Sequence, residues 1–442
     1  MELEHESQVM KMNILIFGGS GKIGAAVAWD LVKVNDVGVV GLIGRREDAL
    51  ERTKTWIDNP KIRTHILDVA DTRAVKGLMQ QYDVGVIALP DRKTSYKVVE
   101  TAIEAGLNIV DMLEEYHRRP DPYEVEGLET PDGMNVVDYG EWLHNRAVER
   151  GVTLLDGMGF APGISNITLG EGIRNLDRAE SAIARVGGIP SKDAAGKHPL
   201  GYMITWAFEH VLREYMVRVR IIKGGEIVEV DAASDLEDFR FTSFGKDEAL
   251  ECAITPGMPS FIHTRPELSE FMEKTIRWPG HWQGIQVLKE CGMFDLQPLE
   301  IRGVKIAPRE FLLAVIEPKL RSRVGDTDVC VMWNTLVGMK DGQKTRINYY
   351  LWDEADTKNG ISAMARVTGF SAAIGALFMG RGMITSKGIV PPEDGIKGEL
   401  YTVFVNELRK RNIQVIEIPE TIGMFDHQPG FGPINEVHLE IL

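Results

Sequence analysis

The chain has 442 residues, with 50 Lys plus Arg against 65 Asp plus Glu and a formal net charge of -15. Hydrophobic residues make up 44% and charged residues 26%, a globular composition that excludes disorder and, at this length, predicts about two to three domains. The acidic excess argues against nucleic acid or an anionic membrane as partner.

From the N-terminus, strand runs are predicted at Asn13–Phe17, Val37–Ile43, Thr64–Leu67, Val84–Leu89, Asn108–Asp111 and Val152–Leu155. Amphipathic helical patterns lie between most of them, at Ile23–Val34, Asp71–Gln81 and Tyr96–Ala105, an alternation that predicts βαβ units and a parallel sheet. The Pro- and Gly-rich segment Leu113–Gly133 interrupts the rhythm and reads as a surface excursion before a helix near Tyr139–Arg150. Within it, Glu114, Glu115 and His117 read as a solvated loop face. After residue 165 the pattern changes to a hairpin, Val217–Ile222 and Glu226–Val230 around Gly224-Gly225. Strands Asp328–Trp333 and Arg346–Trp352 follow around a Lys340-Asp341-Gly342 turn. Ile361–Met383 reads as a buried helix, since Arg366 and Arg381 disfavour a membrane span, and a last helix is expected near Leu400–Arg411.

Three scattered cysteines suit a reducing compartment, and the acidic first residues lack a signal-peptide pattern, so a cytoplasmic protein is expected. No His-Glu-x-x-His or clustered Cys/His spacing points to a metal.

The first strand runs into Gly19-Ser20-Gly21-Lys22-Ile23-Gly24, which fits G-x-G-x-x-G. At a strand-to-helix turn these glycines permit close backbone approach to a pyrophosphate, which then faces the helix N-terminus. A Walker A loop is excluded because Ile23 follows Lys22. Where an NAD site places an acid on the ribose, the second strand ends in Gly44-Arg45-Arg46. Two guanidiniums favour the 2′-phosphate of NADP over NAD; the competing reading is a solvated turn neutralised by Glu47 and Asp48. Asp68 borders the adenine or caps a helix, and Leu89 and Pro90 lie on the nicotinamide side. None of the ten tyrosines has Lys four residues later, which removes the Tyr-x-x-x-Lys pair of short-chain dehydrogenases and epimerases.

Further motifs carry a resemblance. Gly157-Met158-Gly159-Phe160-Ala161-Pro162-Gly163 resembles the Gly-Phe-x-Pro-Gly exit from the Rossmann domain of saccharopine dehydrogenase-like oxidoreductases. Gly187-Gly188-Ile189-Pro190, Ile204-Thr205-Trp206, Arg277-Trp278-Pro279-Gly280-His281, Ala363–Phe370 and Gly388–Glu393 resemble later segments of that family in the same order. The resemblance implies an α/β protein with an N-terminal Rossmann doubly wound parallel sheet at 12–160. It implies an α+β mixed-sheet substrate and dimerisation domain at 161–360, helices returning to the first domain at 361–412, and a tail at 413–442 outside the pattern. It also implies a homodimer and hydride transfer between a nicotinamide and a C–N bond of an amino acid or diamine. Saccharopine reductases carry Asp and Cys where this chain has Ala161 and Val186, so the resemblance is nearest the L-lysine 6-dehydrogenase-like branch. Reductive C–N bond formation of the saccharopine or carboxynorspermidine type and a non-catalytic NADP-binding sensor are the alternatives.

That chemistry needs a base and a carboxylate for the amine. Asp111, ending the fifth strand, is the candidate base or amine partner, or else the cap of a turn. His281 is a candidate proton relay or a structural histidine. Arg277 clamps a substrate carboxylate or forms a structural ion pair, and Trp206 walls the pocket or belongs to the core.

Overall fold

Buried on both faces, a strand reads as an unbroken apolar run, and Ile14–Phe17 and Val84–Ile87 do so because helices cover both sides of their sheet. The computed structural model describes residues 11–121, 128, 130–131 and 133–422. Its first unit contains β1 (Met12–Phe17), α1 (Lys22–Leu31), β2 (Val37–Gly44), α2 (Glu47–Ile57), β3 (Ile62–Ile66) and α3 (Thr72–Met79). It continues through β4 (Val84–Ile87), α4 (Arg92–Ala105), β5 (Asn108–Asp111), α5 (Val136–Arg150) and β6 (Thr153–Leu155). All pairs are parallel, in the order β3-β2-β1-β4-β5-β6. This is the predicted Rossmann sheet, and the strand order reverses between β1 and β4, where a crevice opens at the carboxyl ends. Local signals set the helix ends: Asp91 and Asn135 cap α4 and α5 through the amides of Thr94 and Asp138. Gly106 and Gly151 end them in the left-handed conformation.

The chain leaves β6 through α6 (Ile164–Arg174) and builds a nine-stranded mixed sheet around the long strand β7 (Arg178–Pro190). β7 runs parallel to Glu270–Arg277 and antiparallel to Asp328–Lys340. The predicted hairpins are present as Arg218–Lys223 with Glu226–Asp231 and Asp328–Lys340 with Gln343–Glu354. β7 itself escaped prediction, since Gly187-Gly188 in its apolar run reads as a turn.

Helix Ala363–Gly380 returns to the first unit, where Gly369 lets its backbone cross the first turn of α1. This helix is long and apolar enough to span a membrane, but it is sheathed by the chain's own core. The strand Gly388–Val390 then adds a seventh, unpredicted strand beside β6. The stretch read as a tail supplies Ile416–Thr421 as an outer strand paired with Gln343–Glu354; residues 423–442 lie outside the described residues.

Fully buried Glu393 joins the returning segment to the second unit by accepting from Asn166 Nδ2 (3.1 Å), Ser260 Oγ (2.8 Å) and Thr264 Oγ1 (2.7 Å). Replacing Ser260 with alanine is expected to lower stability by about 1–3 kcal/mol, read by urea unfolding, because a buried carboxylate loses a donor.

Candidate active site

The glycine loop is closed by backbone packing that no side chain could enter. A Cβ on Gly18, whose φ is 77°, would lie 2.5 Å from the Ala88 carbonyl oxygen, and one on Gly24 would lie 2.4 Å from that of Gly18. The Gly21 amide donates to the Gly18 carbonyl at 2.9 Å, and α1 starts after Gly21 with no side chain capping it. Its first amides therefore remain available to a phosphate group, in line with the helix dipole. Ser20 is half-buried beneath Gly44, Ile23 is half-buried, and Lys22 is exposed.

The two arginines after β2 differ. Arg46 makes a forked pair with Asp48 (2.9 and 3.2 Å), and Asp48 also takes Arg52 at 2.7 Å. Arg46, then Arg52, holds the Asp48 carboxyl well below the usual carboxylate range. Arg45 is exposed and has no ion pair among the described residues. The solvated-turn reading thus describes Arg46, and Arg45 is the guanidinium left for a 2′-phosphate. Asp68 does not cap a helix; Asp71 caps α3, while exposed Asp68 takes the Ala70 amide at 2.9 Å in a turn. Leu89 lies against the glycine loop and Pro90 is exposed beside it, on the β4 side of the crevice. The tight glycines, the uncapped helix and Arg45 fit a bound dinucleotide phosphate.

Sheet register places the next group. Phe17, Ile87 and Asp111 are aligned across β1, β4 and β5, so Asp111 stands two strand spacings, roughly 10 Å, from the loop's last strand residue. Val110 pairs with Leu155, which puts Asp156 at the same level after β6. Two carboxylates therefore meet at neighbouring strand ends, and His117 lies between them. His117 Nδ1 donates to Asp156 Oδ1 at 2.7 Å and its backbone amide donates to Asp156 Oδ2 at 2.8 Å. Its Nε2 is 3.1 Å from Ser95 Oγ and 3.7 Å from Asp111 Oδ2, while Ser95 donates to Asp111 and the Leu113 amide donates to Asp111 Oδ1. All of these side chains are buried. Burial opposes charge on the imidazole, but Asp156, then Asp111 and Glu115, outweigh it and hold His117 up at about 9. Burial raises the Asp111 carboxyl against the pull of His117.

The solvated-face reading of this segment is therefore corrected: His117 is fully buried, and Glu115 is buried in an ion pair with Arg92. Asp156 was missed altogether. The available signal was a second strand ending in Asp just before the Gly157–Gly163 turn, parallel to the end of β5.

Arg277 and His281 belong to another network in the second unit. Arg277 donates through Nε and Nη2 to the Tyr215 hydroxyl (3.0 and 2.8 Å) and through Nη1 to the Ile276 carbonyl, among the rings of Tyr202, Tyr215 and Trp282. Tyr215 Oη lies 3.1 Å from His281 Nε2, and His281 Nδ1 lies 3.1 Å from the Leu200 carbonyl. Burial first, then the charge of Arg277, pushes His281 down to about 3. Both ring nitrogens are engaged and burial disfavours charge on the ring, which favours the structural reading of His281 over the relay. The Arg277 fork rests likewise on Tyr215 and Ile276, which favours a structural role over the carboxylate clamp. Trp206 is half-buried and stacked on His210 at the margin of this cluster, available as a wall. Thr205 next to it approaches Gly188, which also touches Met364 at the start of the returning helix. Ala161 is half-buried and Val186 is buried, and neither side chain can move a proton.

Residues 14–155 match the saccharopine dehydrogenase NADP binding domain family, and residues 159–413 match the saccharopine dehydrogenase C-terminal domain family. The chain is 23% identical over 405 residues to carboxyaminopropylagmatine dehydrogenase of Synechocystis sp., covering 85% of this chain and 91% of that one. It is 19% identical to saccharopine dehydrogenase [NADP(+), L-glutamate-forming] of Schizosaccharomyces pombe, covering 83% and 91%. Apo saccharopine dehydrogenase (L-Glu forming) from Saccharomyces cerevisiae shares the fold with a TM-score of 0.73 at 20% identity, over 93% of this chain and 100% of that one.

Proposed function

The chain belongs to the saccharopine dehydrogenase family, and on that premise we propose that it is an NADP-dependent oxidoreductase of an amino-acid C–N bond, oxidising a lysine-like side-chain amine. One observation carries the choice of an amine: the carboxyl groups of Asp111 and Asp156 outnumber the single imidazole, His117, set between them at the carboxyl edge of the sheet.

NADP, when bound, takes up or returns the hydride. Gly18–Gly24 and the start of α1 would hold its pyrophosphate, and Arg45 and Ser20 would take the ribose phosphate side. As a neutral amine loses hydride, positive charge grows on the C–N unit, and a fixed negative charge nearby favours that state over the uncharged amine. Asp111 enters through this field, since its oxygens are already engaged. Leu89 borders the glycine loop, and Trp206, half-buried in the second unit, is the proposed wall that limits water around the reacting carbon.

The test is the absorbance of reduced nicotinamide on mixing the protein with NADP and lysine, ornithine or diamines. Appearance of NADPH with a side-chain amine is the expected result; turnover only in reverse, from an aldehyde, an amine and NADPH, would replace it with the reductive reading. The likeness to carboxyaminopropylagmatine dehydrogenase is what favours that second reading. Silence in both directions with NADP still bound would leave the non-catalytic sensor.

The same reading expects a cytoplasmic homodimer. The free cysteines Cys252, Cys291 and Cys330 support a reducing compartment. The hairpin Leu299–Ile301 and Val304–Ile306 supports a partner surface, because its pairing places Leu299, Ile301 and Val304 on one exposed apolar face.

A further inference from the structure

His117 is recruited from outside the sheet to a place where the fold itself creates a conflict. β5 and β6 are adjacent and in register, so Asp111 and Asp156 meet as like charges in a buried setting. The loop that carries His117 is fastened at both ends. Its start is held by the Leu113 amide on Asp111, and its far side by the His117 amide on Asp156. Its backbone lies directly on α5, where a Cβ at Gly140 would meet the His117 carbonyl oxygen at 2.5 Å. Between these anchors Met112, Leu113 and Glu114 are half-buried, and Met112 approaches Gly159 in the turn that leaves the first unit.

The groups facing the imidazole come from every neighbouring element. α4 supplies Ser95, the ring of Tyr96 at 4.4 Å and, behind it, Arg92; β5 supplies Asp111. The loop itself supplies Glu115, β6 leads to Asp156, and Tyr139 of α5 stacks beyond Tyr96.

We propose that His117 is a positioning residue of the reaction: as an imidazolium it clamps the Asp111 and Asp156 carboxylates together, setting the Met112–Glu114 loop and the charge that faces the substrate amine. This rests on the amine reading above. Loss of the imidazole proton frees two carboxylates to repel one another and loosens the loop at its anchors, so turnover falls on the alkaline side while the remote cofactor phosphate site is unaffected.

The test compares the full-length protein with H117Q and S95A, following kcat/KM across pH on the amine substrate and NADPH binding by fluorescence. For H117Q the expected result is a fall of about 10²-fold in kcat/KM, disappearance of the wild-type alkaline limb near the His117 value of about 9, and unchanged NADPH binding. S95A, which removes only the hydroxyl linking His117 to Asp111, is expected to keep the limb, displaced from its wild-type position, with a smaller loss. An H117Q enzyme that keeps wild-type kcat/KM, or that loses activity while retaining the same alkaline limb, overturns the proposal. If H117Q does not fold, an S95A limb identical to the wild type overturns it.

A substrate-free measurement separates failure of this proposal from failure of the amine reading. The folded imidazole titrates above its ordinary value of 6.5, so its contribution to stability is complete below 6.5 and is lost as pH rises through about 9. The Tm of the wild type should exceed that of H117Q, which lacks the titrating group, most on the acid side, and the gap should narrow above about 9. A gap that ignores pH overturns the clamp even if no amine is ever turned over.

Discussion

Replacing Asp156 with alanine is expected to cost about 3–5 kcal/mol of folding stability, because it strips a fully buried imidazolium of its closest counter-charge. The carboxylate also accepts the His117 backbone amide, so the variant loses the anchor of the loop together with the ion pair. Urea unfolding measures the loss. Its pH dependence carries the sign: the deficit is full below 6.5, where the folded wild type alone profits from binding the proton tightly. The deficit shrinks as pH rises through about 9, where the wild-type imidazole has itself become neutral. A deficit under about 1 kcal/mol, the scale of an exposed pair, would show that His117 and Asp156 are not a buried ion pair in solution.

Replacing Arg45 with alanine is expected to weaken NADP by about 1.5–3 kcal/mol, the range of a hydrogen bond to a charged group, or roughly 10- to 100-fold in Kd. NAD, which lacks the 2′-phosphate, should bind both proteins alike. Arg46→Ala should matter less, since that guanidinium is already forked onto Asp48 and would have to leave it to reach a phosphate. Fluorescence titrations with NADPH and NADH on both variants decide the matter. Equal losses for the two cofactors, or a larger effect at Arg46, would remove the phosphate assignment from Arg45.

The two arginines show where reading along the chain stops. Arg45 and Arg46 are adjacent and chemically identical, and only the direction each takes from the end of β2 separates a free guanidinium from a paired one. His117 is a stronger case. Local composition, with Glu114, Glu115, Arg118 and Arg119 around it, describes a wet loop, yet its partner Asp156 lies 39 positions onward and encloses it. Arg277 and His281 look like chemical groups because their residue types suit the chemistry. Their donors and acceptors are consumed by Tyr215 and by Leu200, the latter 81 positions before His281.

The residues along the chain were enough, by themselves, to determine the parallel sheet, the glycine loop, the uncapped helix end and the class of cofactor. Those features follow from local rules: apolar runs buried on both faces, glycine where a Cβ cannot fit, and a helix opening without a cap. The tertiary structure alone decided which arginine is paired with Asp48, which histidine nearby carboxylates favour in its charged form, and that Asp111 is one part of a buried charge cluster. Each of those depends on the burial and the charges that distant segments bring to a side chain, and both are properties of the packed chain.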